Sequence, residues 1–338
     1  MSDSIAQAGA QPKTEPEQQQ SKDGDGGGSR KVIYAAIIAN LGIAAAKFVV
    51  AAITGSAAML AEGIHSAVDT GNELLLLIGE KVSARPPDKR HPFGYGKAMY
   101  FWALIVAMSV FALGGGLSIH HGIVALRQPE PLEDPLWNYI VLLVSAGFEG
   151  YSWNVSRKEL NKVRKPGASL WQTVRASKDA AVFSVFIEDS AALAGLVIAG
   201  AGIFLGHLLD NPYIDPAASI LIGLLLVGAA FTLARETGAL LVGETVGVET
   251  TQQLRRIFED DPAVLSVGKL LSMQLGPDEA LLTASVTFKR GMRIDEVEGA
   301  IARLERTVAQ AYPSIQRIYF ESGALRSAMS EPPAADAR

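Results

Sequence analysis

Met59-Leu60-Ala61-Glu62-Gly63-Ile64-His65-Ser66-Ala67-Val68-Asp69-Thr70-Gly71-Asn72-Glu73 is the stretch whose reading decides the fold. It lies inside an apolar run, Ala57–Gly79, that is long enough to cross a bilayer, since a spanning helix takes about 20 residues. On a helix His65 and Asp69 stand one turn apart on one face. Glu62, Asn72 and Glu73 fall on the same face, within an arc of about 100° at 3.6 residues per turn. The rest of the circumference is apolar. An ionisable side chain in lipid costs a few kcal/mol or more and faces a cavity or a partner. A stripe of them implies a polar route or site. A plainer alternative is one His–Asp pair knitting helices together, although buried ion pairs stabilise weakly.

Working outward, five further apolar runs flank this one: Val32–Ile53, Tyr100–Ile123, Leu136–Val155, Ala180–His207 and Tyr213–Ala234. A turn at Thr54-Gly55-Ser56 joins the first to the second. Hydrophobic residues make up 49% of the 338. That total is compatible with a soluble protein, so the distribution decides: charge is nearly absent from the runs and dense between them. Only helices and closed barrels satisfy their backbone in lipid. The expectation is six transmembrane helices over residues 30–242. Lys and Arg crowd the connections after the second and fourth runs, Arg30 and Lys31 precede the first and Arg235 follows the sixth, and the alternate connections are nearly free of them. By the positive-inside rule both termini are cytoplasmic. A multi-pass protein of this kind would sit in the inner membrane if bacterial.

Residues 1–29, rich in Gln, Gly, Ser, Asp and Glu, cannot bury enough apolar area to order themselves. They are expected to be a disordered tail, as are residues 326–338. Between 243 and 325 the pattern becomes that of a soluble domain. Thr250–Phe258 and Ile294–Tyr312 have helical spacing, while Val264–Gln274, Ala280–Lys289 and Ile315–Phe320 read as strands. Helix–strand–strand–helix–strand suggests a small ferredoxin-like α+β domain. There is no cysteine, so thiolate metal sites and disulfides are excluded. A net charge of −5 points to no nucleic-acid partner.

A partner for the polar stripe comes from the fifth run, Ser184-Val185-Phe186-Ile187-Glu188-Asp189-Ser190-Ala191-Ala192. Adjacent carboxylates point about 100° apart on a helix. Glu188 shares its stripe with Ser184, Ala191, Ala192, Gly195 and Gly202, small residues that mark close helix contact, whereas Asp189 shares its stripe with Val182, Val185 and Leu196. Face alone therefore favours Glu188 as the interior acid. Imidazole with carboxylate is ordinary ligation for a borderline divalent metal. In the first run, Asn40 and Lys47 share a face. Asn40 is placed to bond to the second helix. Glu149, in the fourth run, reads equally as a further acid in the pathway or as a pair for Lys47.

Here the chain resembles the cation diffusion facilitator family of divalent metal/proton antiporters. The resemblance rests on residues 55–69, on His91-Pro92-Phe93-Gly94-Tyr95-Gly96-Lys97, and on Asp215-Pro216 opening the sixth run. Glu188–Ala192 and Phe148-Glu149-Gly150-Tyr151-Ser152-Trp153 look like the branch that contains zinc transporter nine. The resemblance implies a homodimer, no cofactor, no enzymatic activity, and a metal site between the second and fifth spans with His65 and Asp69 as one pair of ligands. It aligns Asp189 as the fifth-span acid, against the face argument for Glu188, and it puts Val185 where a ligand usually stands. Glu188, Asn72 or water are the substitutes. Glu62, Glu73, Asn40 and Glu149 are candidates for the pathway. The cargo implied is Zn²⁺, with Mn²⁺, Co²⁺, Fe²⁺ or Mg²⁺ left open by an oxygen-rich ligand set. Protons are the counter-substrate. Two other classes fit the same stripe: an intramembrane metalloenzyme, and a scaffold that does not transport.

Overall fold

The computed structural model describes residues 26–129 and 135–322, with side chains from residue 40 onward. The expected C-terminal tail lies outside the described residues, as does the expected N-terminal tail up to residue 25; residues 26–29 are helical. Residues 1–39 and 40–338 form two units. The first is described only by its helical backbone from residue 26. Everything below concerns the second.

The six apolar runs all fall in helices: α1 (Gly26–Thr54), α2 (Ala57–Ser83), α3 (Ala98–Arg127), α4 (Leu136–Lys162), α6 (Ala180–Leu208) and α7 (Ile214–Val242), with a short α5 (Leu170–Ala176) after the fourth. Among the described residues three of these, α3, α6 and α7, are long and apolar enough to cross a membrane by length and composition, and Asn40–Thr54 is a shorter apolar stretch. The charged and polar residues that α2 and α4 carry keep them below that standard. The helices overrun the apolar runs: α4 continues from Val155 to Lys162 and α7 from Ala234 to Val242. Charged residues propagate a helix well once it has started, so hydropathy marks the lipid-facing part and not the helix end.

The outer surface of the bundle is apolar. Leu143, Val197 and Phe231 are each more than 70% exposed. Large side chains so placed suit a lipid surround and not water. Between helices in lipid, close packing replaces the hydrophobic effect as the source of cohesion. The contact between α3 and α7 shows how. A Cβ added at Gly122 would meet the Pro216 carbonyl at 2.9 Å, and one at Gly223 would meet the Gly115 carbonyl at 2.9 Å. The two backbones touch through their glycines. Over Val110–Gly116, where Gly114-Gly115-Gly116 end the segment, α3 loosens into a π-turn.

Two apolar cores lie one above the other. Ala58, Met59 and Ala61 join Val50, Ala191, Leu196, Ile222 and Leu226 in one. Leu76 joins Tyr100, Phe183, Ile187 and Leu233 in the other. The polar stretch of α2, from Glu62 to Glu73, lies between them. Its start is fixed by Ser56, whose side chain accepts from the Met59 amide at 3.0 Å. Asp215 of α7 reinforces the cap: it accepts from the Ser56 hydroxyl at 2.6 Å and from the Ala57 and Ala58 amides at 2.6 and 3.3 Å. A carboxylate here satisfies otherwise orphaned helix N–H groups and faces the positive end of the helix dipole.

After Gly243, whose φ of 125° turns the chain, comes the sheet domain: α8 (Val248–Glu259), β1 (Val264–Gly276), β2 (Glu279–Phe288), α9 (Ile294–Ala311) and β3 (Ile315–Ser322). The strand order is β1-β2-β3, antiparallel then parallel. Leu254, Phe258, Leu304 and Val308 close one face over Leu282, Ala284 and Val286. The loop after α2 docks on this domain. Gly96 lies so close to Leu275 and Gly276 that no Cβ fits. Arg317 reaches the Pro92 carbonyl at 3.5 Å and lies over the Phe93 ring.

Candidate metal site

Asn40, Ser66, Asp69, Glu73, Glu149, Ser152, Val185, Glu188 and Asp189 line one cavity of about 40 Å³, with Ile43 and Phe148. That is room for one or a few waters or a small ion. Four helices build it: α1, α2, α4 and α6. Five carboxylates face it, and among the described residues no Lys, Arg or His lines it.

The carboxylates are held by neutral donors. The Asn40 amide donates to Glu73 Oε1 at 2.7 Å, and the Asn72 amide to Glu188 Oε1 at 3.0 Å. The Ser152 hydroxyl donates to Asp189 Oδ2 at 2.9 Å, with Ser156 Oγ 3.4 Å from the same oxygen. Glu188 and Asp189 are both buried. The two acids point apart as their spacing requires, Glu188 towards α2 and Asp189 towards α4, and the cavity lies between the two directions. Ser152 and Ser156 escaped the sequence reading. Their signal was there: 149, 152 and 156 follow helical spacing and form one polar stripe on α4.

His65 is 1% exposed and does not line the cavity. Its Nδ1 stands 3.4 Å from Asp69 Oδ1, and neither ring nitrogen nor that oxygen has a hydrogen-bond partner among the described residues. Buried polar atoms without partners are rare and call for an explanation. Among the described residues no three His or carboxylate side chains stand close enough to close on one ion. The donor set suits a divalent cation in kind, with carboxylate oxygens and an imidazole within reach, and side-chain movement is needed to complete it.

Glu62 is not free to join. Both it and Lys47 are wholly buried. Lys47 Nζ is 3.1 Å from Glu62 Oε2 and donates to Ser66 Oγ at 2.7 Å. Lys47 therefore pairs with Glu62 and not with Glu149. The far oxygen of Glu62 packs on Gly195 of α6, where a side chain would collide with it.

An apolar helix bundle enclosing an acid-lined cavity, followed by a small sheet domain, defines an integral membrane protein with a polar site inside its helical part. The chain belongs to the cation efflux family: the family's transmembrane domain matches residues 33–242. It is 38% identical over 237 residues to the proton-coupled zinc antiporter SLC30A9, mitochondrial, of Xenopus laevis, covering 70% of this chain and 42% of that protein. It is 31% identical over 268 residues to metal tolerance protein C4 of Arabidopsis thaliana, covering 78% and 58%. With the magnetosome protein MamM of Paramagnetospirillum magneticum it shares 27% over 252 residues, 74% of each chain. The chain thus spans about half the length of the first relatives. The names of the first two describe a transporter and a metal tolerance protein, not enzymes.

Proposed function

We propose that the protein exports divalent metal cations from the cytoplasm in exchange for protons, by alternating access around a site inside the membrane domain. The observation that carries this is the cavity: five carboxylates from three helices, three of them held by neutral donors, with no basic side chain lining it among the described residues. Buried charge is costly unless balanced, and here the balance has to come from a solute. Metal and protons are the two that can exchange there, because a ligand must shed its protons to bind metal. The names of the SLC30A9 relatives make zinc the first cargo to test, with Mn²⁺, Co²⁺, Fe²⁺ and Mg²⁺ next. Asp69, Asp189, Glu188 and His65 are the proposed ligands. His65 joins by turning its unpartnered ring past Asp69. Glu73, Asn40 and Asn72 position the acids, and Glu62 serves the bundle through Lys47.

The remaining assignments belong to the same reading. Residues 30–242 form six spans with both termini cytoplasmic, in the inner membrane if the source is bacterial. Residues 243–325 form a cytoplasmic domain of ferredoxin-like type through which two copies pair, between disordered tails. Proton-coupled metal flux in proteoliposomes tests the core claim. Wild type should acidify or alkalinise the lumen in step with metal movement, and Asp69→Asn combined with His65→Ala should abolish both. Flux equal to wild type in that double variant would end the proposal.

A second reading has one observation in its favour. Because no three ligand groups converge among the described residues, a scaffold that does not transport also fits. Such a scaffold would bind no metal in the membrane domain, which a Zn²⁺ titration of the purified chain decides.

A further inference from the structure

We infer that Glu149 of α4 is a ligand of the transported cation, so that the site draws on three helices. This rests on the transport reading above and deepens it.

Of the five carboxylates that line the cavity, Asp69 and Glu149 have no hydrogen bond among the described residues, and Glu149 alone of the two has no His, Lys or Arg nitrogen within ion-pair distance there. Glu73 has Asn40, Glu188 has Asn72, Asp189 has Ser152, and Asp69 has the His65 ring beside it. Lys47, the cation that the sequence offered it, bonds to Glu62 and Ser66 and reaches Glu149 only through its field. A half-buried carboxylate inside an apolar bundle, with no donor and no contacting counter-ion among the described residues, is a costly feature unless a ligand completes it.

The packing of the helices says where Glu149 stands. Ser152 bonds to Asp189, while further along α4 the Leu142 side chain lies against Gly200. The two helices therefore run antiparallel. Glu149, one turn from Ser152 towards Leu142, stands on the Gly195 side of Asp189. On α2 that side is reached at Glu62, which packs on Gly195, whereas Asn72 bonds to Glu188. Asp69 lies between those two positions. Glu149 thus closes the cavity at the level of Asp69, on the side where the buried ring of His65 also has both nitrogens unpartnered. In the other direction along α6, one turn from Asp189, the lining residue is Val185, which offers no donor. The α6 side supplies the ion from Asp189 outward only, and the third donor comes from α4.

The test is a titration of the purified full-length chain in detergent with Zn²⁺ and with Mn²⁺, by calorimetry, on wild type, Glu149→Gln, Glu149→His and Asp69→Asn. Folding of each variant is followed by thermal melting. Glu149→Gln should weaken Mn²⁺ binding at least about tenfold. Glu149→His should keep binding and raise the ratio of Zn²⁺ to Mn²⁺ affinity by about tenfold or more, because imidazole suits zinc and oxygen suits manganese. A residue that only packs the bundle would leave that ratio unchanged. If Asp69→Asn abolishes binding while both Glu149 variants bind as wild type with the wild-type ratio, this inference falls and the transport reading stands. If Asp69→Asn also binds as wild type, the reading beneath it falls too. Should Glu149→Gln fail to fold, the ratio in Glu149→His decides alone: an unchanged ratio overturns the inference.

Discussion

Two polar regions of the membrane domain touch at Ser66 and obey opposite rules. In the first, Lys47, Glu62 and Ser66 form a sealed knot: a buried cation meets a buried anion at 3.1 Å and a hydroxyl at 2.7 Å. In the second, Asp69, Glu73, Glu149, Glu188 and Asp189 share a cavity; amides or a hydroxyl hold Glu73, Glu188 and Asp189, Asp69 has the His65 ring 3.4 Å away, and Glu149 has no hydrogen bond among the described residues. The knot is closed in charge and has no need of anything from outside. The cavity is held in shape by groups that contribute no charge, so its anions remain open to a mobile cation or to protons. Residue type alone does not separate the two regions, since each includes acids of the same helix α2. What separates them is whether the neighbour on the next helix is a lysine or an amide.

The largest expected effect comes from breaking the knot. Lys47→Met leaves Glu62 buried without its cation, and removing one partner of a buried pair costs about 3–5 kcal/mol. Thermal and denaturant melts in detergent should show that loss. Lys47→Met with Glu62→Met removes both charges, and such replacements are often close to neutral. This double variant should melt near wild type and keep transporting. A double variant that is stable but inactive would mean that the knot belongs to the route of the ion, and the contrast drawn here would fail.

A smaller effect should come from the cavity side. Asn72→Leu removes the donor to Glu188 at similar size. A hydrogen bond to a charged group contributes about 1.5–3 kcal/mol, which bounds the change in stability. The main consequence should be on the ion: groups that orient a ligand alter metal affinity by about tenfold or more. Metal uptake in proteoliposomes should show a raised KM with kcat little changed. An unchanged KM would mean that Glu188 is not among the ligands and that Asp189 acts for α6.

Much of this contrast was legible in the sequence, and the missing part has a definite cause. The six helices followed from the apolar runs, and the strands and helices after Gly243 from their periodicity, because both patterns are set by residues within one element. The stripe Glu62–Glu73 was visible for the same reason. Partner choice was not visible, because it depends on how neighbouring helices are aligned along one another. Lys47 reads equally as a partner for Glu149 until the packing of α1 on α2 places it at Glu62. The face argument chose Glu188 over Asp189, but it treated the helix as having one inner side. In the bundle α6 has two, towards α2 and towards α4. The loosened turn at Val110–Gly116 left only its glycines as a trace.

The smallest effect tests the rule from the water side. Asp88, in the loop after α2, is held mainly by neutral groups, the Tyr95 hydroxyl at 2.7 Å and the His91 and Arg90 amides at 2.6 and 2.8 Å, with the His91 ring 3.5 Å away. The Tyr95 bond, then the amides, hold its carboxyl below the ordinary value of 3.8. Because the folded value is the lower one, the order these bonds give the loop is present above 3.8. It is lost as pH falls through the lowered folded value. Tyr95→Phe removes the largest contribution, so the Asp88 titration should move up towards the ordinary carboxylate range. Amide exchange at Arg90 and His91 should then quicken at a higher pH than in wild type. At neutral pH the loop loses the order that the Tyr95 bond gave it, but metal transport should be unchanged, because Asp88 stands in water, where solvent and salt already balance its charge. If Tyr95→Phe instead altered transport at neutral pH, neutral donors would matter outside the membrane as well as inside it. The need for a balancing ion would then no longer be what sets the cavity apart.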